Sequence, residues 1–158
     1  MFEYESGRRR HSKRTEWIGL LSVGFFVLAL GFIWVITPDF YGEVVSFVKD
    51  FQLKNVTEHI MLPTPASNHP ILYTALSQLC LAIGFFQIVL LALRFYFRDS
   101  LSTIADAVGG MAFFLGVAFF FNLMANEALS WFGFIGGVIV CVGLSIILSS
   151  MVKLFSRY

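Results

Sequence analysis

Charge is what this chain has least of. Asp, Glu, Lys and Arg make up 13% of its 158 residues, against about 25% in an ordinary soluble domain. Four tracts, about residues 17–37, 71–93, 107–126 and 129–152, hold no ionisable acid or base of these types. Proton-coupled pumps and transporters keep a carboxylate or histidine inside a span, and these tracts offer none. Histidine is also scarce, and His11, His59 and His69 all lie outside the tracts. A pair of axial ligands for a membrane haem is therefore missing. Glu58, His59 and His69 make only a weak exposed metal set, so the expected metal and cofactor complement is none. No Ser/His/Asp set, metalloprotease helix motif or phosphate-binding loop occurs. The chain reads as a non-enzymatic protein. Its two cysteines, Cys80 and Cys141, form no CxxC pair and read as small packing residues.

What is present is apolar length. Hydrophobic residues are 58% of the chain and its mean hydropathy is +0.79. Crossing a hydrocarbon core takes about 20 residues at 1.5 Å each, and each tract is that long. Lipid offers the backbone no partner, so a span must be helical or part of a closed barrel. The strict alternation of barrel strands is missing. The first tract follows a basic stretch, as a secretory signal does. Its apolar core is too long for one and no small-residue cleavage pattern follows, so it counts as a retained helix.

The basic residues orient the spans. Arg8, Arg9, Arg10, Lys13, Arg14, Arg94, Arg98, Lys153 and Arg157 fall on one side, and only Lys49 and Lys54 on the other. By the positive-inside rule both termini are cytoplasmic in a cell membrane. Residues 1–16 form a cytoplasmic basic tail. Its Arg8, Arg9, Arg10, Lys13 and Arg14 suit contact with anionic lipid headgroups; a nucleic-acid partner is not expected.

The outer segment between the first two spans has two parts. Over residues 39–51 Phe40, Tyr41, Val44, Val45, Phe47, Val48 and Phe51 recur at helical spacing. They predict an amphipathic helix lying along the interface, with Thr37 as its cap and Pro38 in its first position. Residues 52–70 contain Pro63, Pro65 and Pro70, which forbid regular helix. An outer proline-rich loop is expected, with Asn68 capping the second span. Asn55-Val56-Thr57 fits the N-glycosylation pattern. "NEALS" alone joins the last two spans, which must form an antiparallel hairpin.

Polar residues within the spans gather toward the outer side. Tyr73, Thr74, Ser77, Gln78, Asn122, Asn126 and Glu127 form a candidate outer polar pocket. Gln78 lies roughly 10 Å deep at 1.5 Å per residue. The alternative is that Gln78 and Asn122 join helices by hydrogen bonds. Gly133-x-x-x-Gly137 is a close-packing motif and Ala112-x-x-x-Gly116 a weaker one; contact within the last hairpin or homodimerisation would use them.

"WVITPDFYGEVVSFVKDFQL" and "MLPTPASNHPILYTALSQLCLAIGFFQIVLLALR" resemble a group of small uncharacterised archaeal membrane proteins, with four predicted helices, a "KDF" stretch and an "LP-P" loop. The resemblance covers about residues 17–94. It implies four helices and an archaeal cell membrane, and carries no activity. The expected fold is an all-α integral membrane four-helix bundle with an extra amphipathic interfacial helix. The expected role is a scaffold or accessory component docking other membrane proteins or itself within the bilayer. A small oligomeric channel or transporter is the first alternative and a membrane-embedded enzyme the second.

Overall fold

The structure, a computed structural model, describes residues 2–57, 60–97 and 99–155, with side chains described in these ranges except at 2–16, 18, 53–57, 60–62 and 155. Five helices and one hairpin follow in the order α1 (Phe2–Ile36), α2 (Phe40–Lys49), β1 (Phe51–Thr57), β2 (Ile60–Pro65), α3 (Pro70–Tyr96), α4 (Leu101–Ala125) and α5 (Trp131–Phe155). Four of the helices carry stretches long and apolar enough to span a bilayer: Gly19–Ile36, Pro70–Tyr96, Leu101–Ala125 and Trp131–Leu154. This is the expected all-α membrane bundle with one extra short helix. Helix α1 runs without a break from Phe2 through the basic segment, and α4 begins six residues before its uncharged tract.

The packing follows from lipid as solvent. Apolar side chains gain nothing by leaving lipid for one another, so helix association needs close backbone approach and hydrogen bonds. Helix α4 lies between α3 and α5 and packs extensively against both. Where α4 meets α5, a Cβ on Gly116 would lie 2.5 Å from Cys141 Sγ, and one on Gly137 2.6 Å from the Phe120 ring. A Cβ on Gly109 would lie 3.1 Å from Ser145, whose hydroxyl donates to the Gly109 carbonyl at 2.8 Å. Gly137, Cys141, Ser145 and Ser149 thus form a stripe at four-residue spacing, one side of a helix. Ala112 is half-buried on α4. Gly133 meets Leu129 and Ser130 at its own helix start. Gly84 admits Leu115 between α3 and α4.

Helix α1 is the outlier. It meets α3 through a much smaller contact, built on Ala29 and Ile33, which are buried, and on Phe25 stacked against Phe86 at 3.9 Å. Phe25, Ala29 and Ile33 are four residues apart and share one face. Leu20, Val27, Leu28, Phe32 and Val35 stay exposed, as do Ile139, Val140, Ile146 and Ile147 on α5. So much exposed apolar surface suits contact with lipid tails.

Three local expectations are corrected. The cap of α2 is Asp39, not Thr37; it sits in the left-handed region at φ 47°, which Asp tolerates better than most residues. Thr37 instead continues the α1 bonding, donating its N–H to the Ile33 carbonyl at 3.0 Å. The cap of α3 is His69, not Asn68, with Pro70 at the first helical position. The proline-rich loop is a two-stranded antiparallel hairpin, in which Phe51 pairs with Pro65 and Leu53 with Pro63. Proline excludes helix, as expected. It does not exclude a strand with only one neighbour, because its missing N–H can face away from the ladder.

Candidate functional site

The end of the bundle opposite the chain termini is capped by α2 and the hairpin. Three contacts hold the cap down. The first is apolar: Phe47, on the inner face of α2, sets its ring 6.1 Å from Tyr73 and 6.0 Å from Trp131. It packs on a core of Tyr73, Met124 and Phe134, drawn from α3, α4 and α5.

The second contact is a latch. Asp50 follows α2, and its Oδ2 accepts from Ser67 N at 2.6 Å and from Ser67 Oγ at 2.7 Å. His69 Nε2 lies 3.3 Å from the same oxygen, and His69 Nδ1 3.6 Å from Glu43 Oε2. The imidazole is buried between two carboxylates seven residues apart, Glu43 on α2 and Asp50 just after it. A neutral ring with its proton on Nε2 donates to Asp50; an imidazolium would serve both partners. Hydrogen bonds from Ser67, then His69, hold the Asp50 carboxyl below its usual 3.8. The Asp50 carbonyl also accepts from Ala66 N at 3.1 Å, closing the hairpin base.

The third contact is at the end of α4. Glu127 N–H bonds to the Met124 carbonyl at 3.1 Å and Ala128 N–H to the Leu123 carbonyl at 2.9 Å. This is the Schellman pairing, which places Glu127 where glycine is usual. Glu127 accordingly has φ 57°. Its Oε1 accepts from Asn68 Nδ2 at 3.0 Å, tying the α4–α5 turn to the segment before α3.

The candidate outer pocket of seven residues is divided by this arrangement. Tyr73 and Glu127 line one cavity of about 440 Å³, with Thr64–Asn68, Met124, Leu129, Ser130 and Trp131. Thr74 and Gln78 line a separate crevice of about 360 Å³ with Ile36, Thr37, Pro38 and Pro70, between α1 and α3. The separation is geometric: Tyr73 and Thr74 are adjacent on a helix and point about 100° apart at 3.6 residues per turn. Ser77 is buried and donates to the Ala118 carbonyl at 2.8 Å. Asn122 is exposed, and accepts the Asn126 amide at its own carbonyl at 2.8 Å and at Oδ1 at 3.3 Å. Ser77 and Ser145 thus make interhelical bonds to backbone carbonyls, and Ser149 donates to Asp106 of α4 at 3.5 Å. Gln78 and Asn122 make no hydrogen bond to another helix among the described residues.

Cys80 is half-buried, Cys141 buried, and both are free thiols. Asn55 lies in β1 opposite Met61; its side chain, and those of Arg8, Arg9, Arg10, Lys13 and Arg14, fall outside the described residues. So do Glu58 and His59, while no metal-binding group of His, Cys, Asp and Glu occurs among the described residues.

Sequence reasoning overlooked Asp50, Ser67, His69 and Trp131 as parts of one site. One trace was visible: Glu43 and Asp50 are seven apart and share a helix face. Their common partner comes from beyond the hairpin.

Four spans with a folded cap define a multi-pass membrane protein. Comparison with protein families, with curated proteins and with solved structures finds no match to this chain.

Proposed function

We propose that the protein is a non-enzymatic accessory component of a cell membrane, with both termini cytoplasmic, which docks another membrane component at its outward-facing cap. The observation that carries this reading is the latch: Asp50, Ser67 and His69 fix α2 and the hairpin as a shaped surface with an open cavity beside it. The span hydroxyls of Ser77, which is buried, and Ser145, which is half-buried, also support docking over conduction. Both are committed to backbone carbonyls of neighbouring helices, so neither is free to line a solute path. The nine-to-two division of Lys and Arg supports the orientation.

Purification in mild detergent tests the role. A membrane protein that co-purifies stoichiometrically, and is lost from Asp50→Ala, supports it. A pure homo-oligomer that passes solutes in liposomes overturns it in favour of a channel. Cysteine labelling from outside the cell tests the orientation. Labelling beside Arg9 or Arg157, with none beside Lys54, would reverse the map.

A further inference from the structure

The 440 Å³ cavity beside the cap has the size of a small-molecule site, and its wall has a definite chemistry. Among the described residues Glu127 is the only charged one that lines it, and no Lys, Arg or His does. A second carboxylate stands directly behind the wall, because the lining residue Ser67 gives both its N–H and its hydroxyl to Asp50. Two aromatic rings, Tyr73 and Trp131, complete the polar side, and Met124 and Leu129 supply apolar surface. A carboxylate with aromatic faces is the combination that attracts an organic cation.

A further observation points to an occupant. Glu127 holds a left-handed backbone where glycine would be unstrained. Strain of that kind persists where the side chain is wanted for something else. Asn68 occupies one of its carboxylate oxygens and leaves the other without a protein donor among the described residues.

We propose that this cavity binds an organic ammonium group, supplied by a phospholipid headgroup or by a free amine. The ammonium sits against Glu127 and the ring of Trp131. The apolar part of the ligand lies on Met124 and Leu129. This goes beyond the docking role and is independent of it: a failure to bind amines would leave the co-purification result untouched, and the reverse holds too.

The test is a titration of the full chain in nanodiscs of phosphatidylglycerol, followed by tryptophan fluorescence, with tetramethylammonium and choline as probes. Saturable binding is expected, weakened at least about tenfold, or 1.4 kcal/mol, in Glu127→Gln. Glu127→Gly separates charge from structure, since it removes the carboxylate while relieving the left-handed strain. It should lose binding while its thermal midpoint is kept or raised. Nanodiscs containing phosphatidylcholine distinguish the sources: loss of the choline response there identifies the headgroup as ligand, and an unchanged response identifies a free amine. Absence of saturable binding up to about 100 mM, weaker than any specific site of this kind, would overturn the proposal. So would binding that survives in both Glu127 variants.

Discussion

Gly136 and Gly137 are neighbours on α5 and offer a controlled test of how it packs on α4. A Cβ on Gly136 would meet nothing within 4 Å, while one on Gly137 would lie 2.6 Å from two Phe120 ring carbons. Carbon atoms settle at about 3.5–4.0 Å, so the ring or the helix must retreat by about 1 Å. Overpacking of that size costs about 1–3 kcal/mol. Each Gly→Ala change also brings the same gain in helix propensity, up to about 1 kcal/mol. We predict that Gly136→Ala is neutral or stabilising. Gly137→Ala should be less stable than Gly136→Ala by about 1–3 kcal/mol, since the propensity gain cancels between them. Reversible unfolding in mixed micelles measures both. Phe120→Leu in the Gly137→Ala background should recover part of the loss, and the double-mutant cycle isolates the contact. Equal stability of the two alanine variants, with no rescue from Phe120→Leu, would show that the seam between α4 and α5 has been placed on the wrong face.

Other expectations concern the polar groups. Ser77→Ala removes a buried bond to the Ala118 carbonyl and should cost about 0.6–1.7 kcal/mol, the range for hydrogen bonds in membranes. Gln78→Leu should leave unfolding unchanged, because Gln78 lines the α1–α3 crevice and joins no helices; a loss as large as that of Ser77→Ala would restore it as a helix–helix link. The latch should respond to acid with a definite sign. The folded-state Asp50 pKa lies below the ordinary 3.8, so its contribution is full above about pH 4 and is lost as pH falls through the lowered value. The protection of the Ser67 amide from hydrogen exchange, taken relative to its intrinsic rate at each pH, should therefore fall in acid, and Asp50→Asn should remove that dependence. A Ser67 protection factor unchanged between strong acid and pH 7 would count against the latch.

Much of this architecture was legible without coordinates, because the solvent wrote it. A stretch such as residues 129–152 has no charged side chain and no tertiary alternative to spanning: lipid forces its backbone into helix whatever its neighbours do. The extra helix was legible for a related reason, since an interface imposes a two-sided pattern on residues 40–48. The strands of 51–65 were not legible. Proline spoke against helix there, yet the pairing of Leu53 with Pro63 depends on where the chain turns, and that signal is short and local. The small-residue seam was half legible: Gly137 and Gly116 stand in motifs, while Cys141, Ser145 and Ser149 complete the stripe only once α4 lies against it.

The candidate site was decided by tertiary structure almost entirely. Composition and period determined four crossings, an amphipathic cap helix and the absence of charge from the membrane. Each depends on one residue's preference for lipid or water, repeated along the chain. Which carboxylate meets His69, which wall Tyr73 and Trp131 share, and why Gln78 and Tyr73 open into different spaces depend on distances between residues far apart in sequence. Asp50 and Ser67 are seventeen positions apart, Asn68 and Glu127 fifty-nine. No local preference reports such a distance; only the packing of the helix ends sets it.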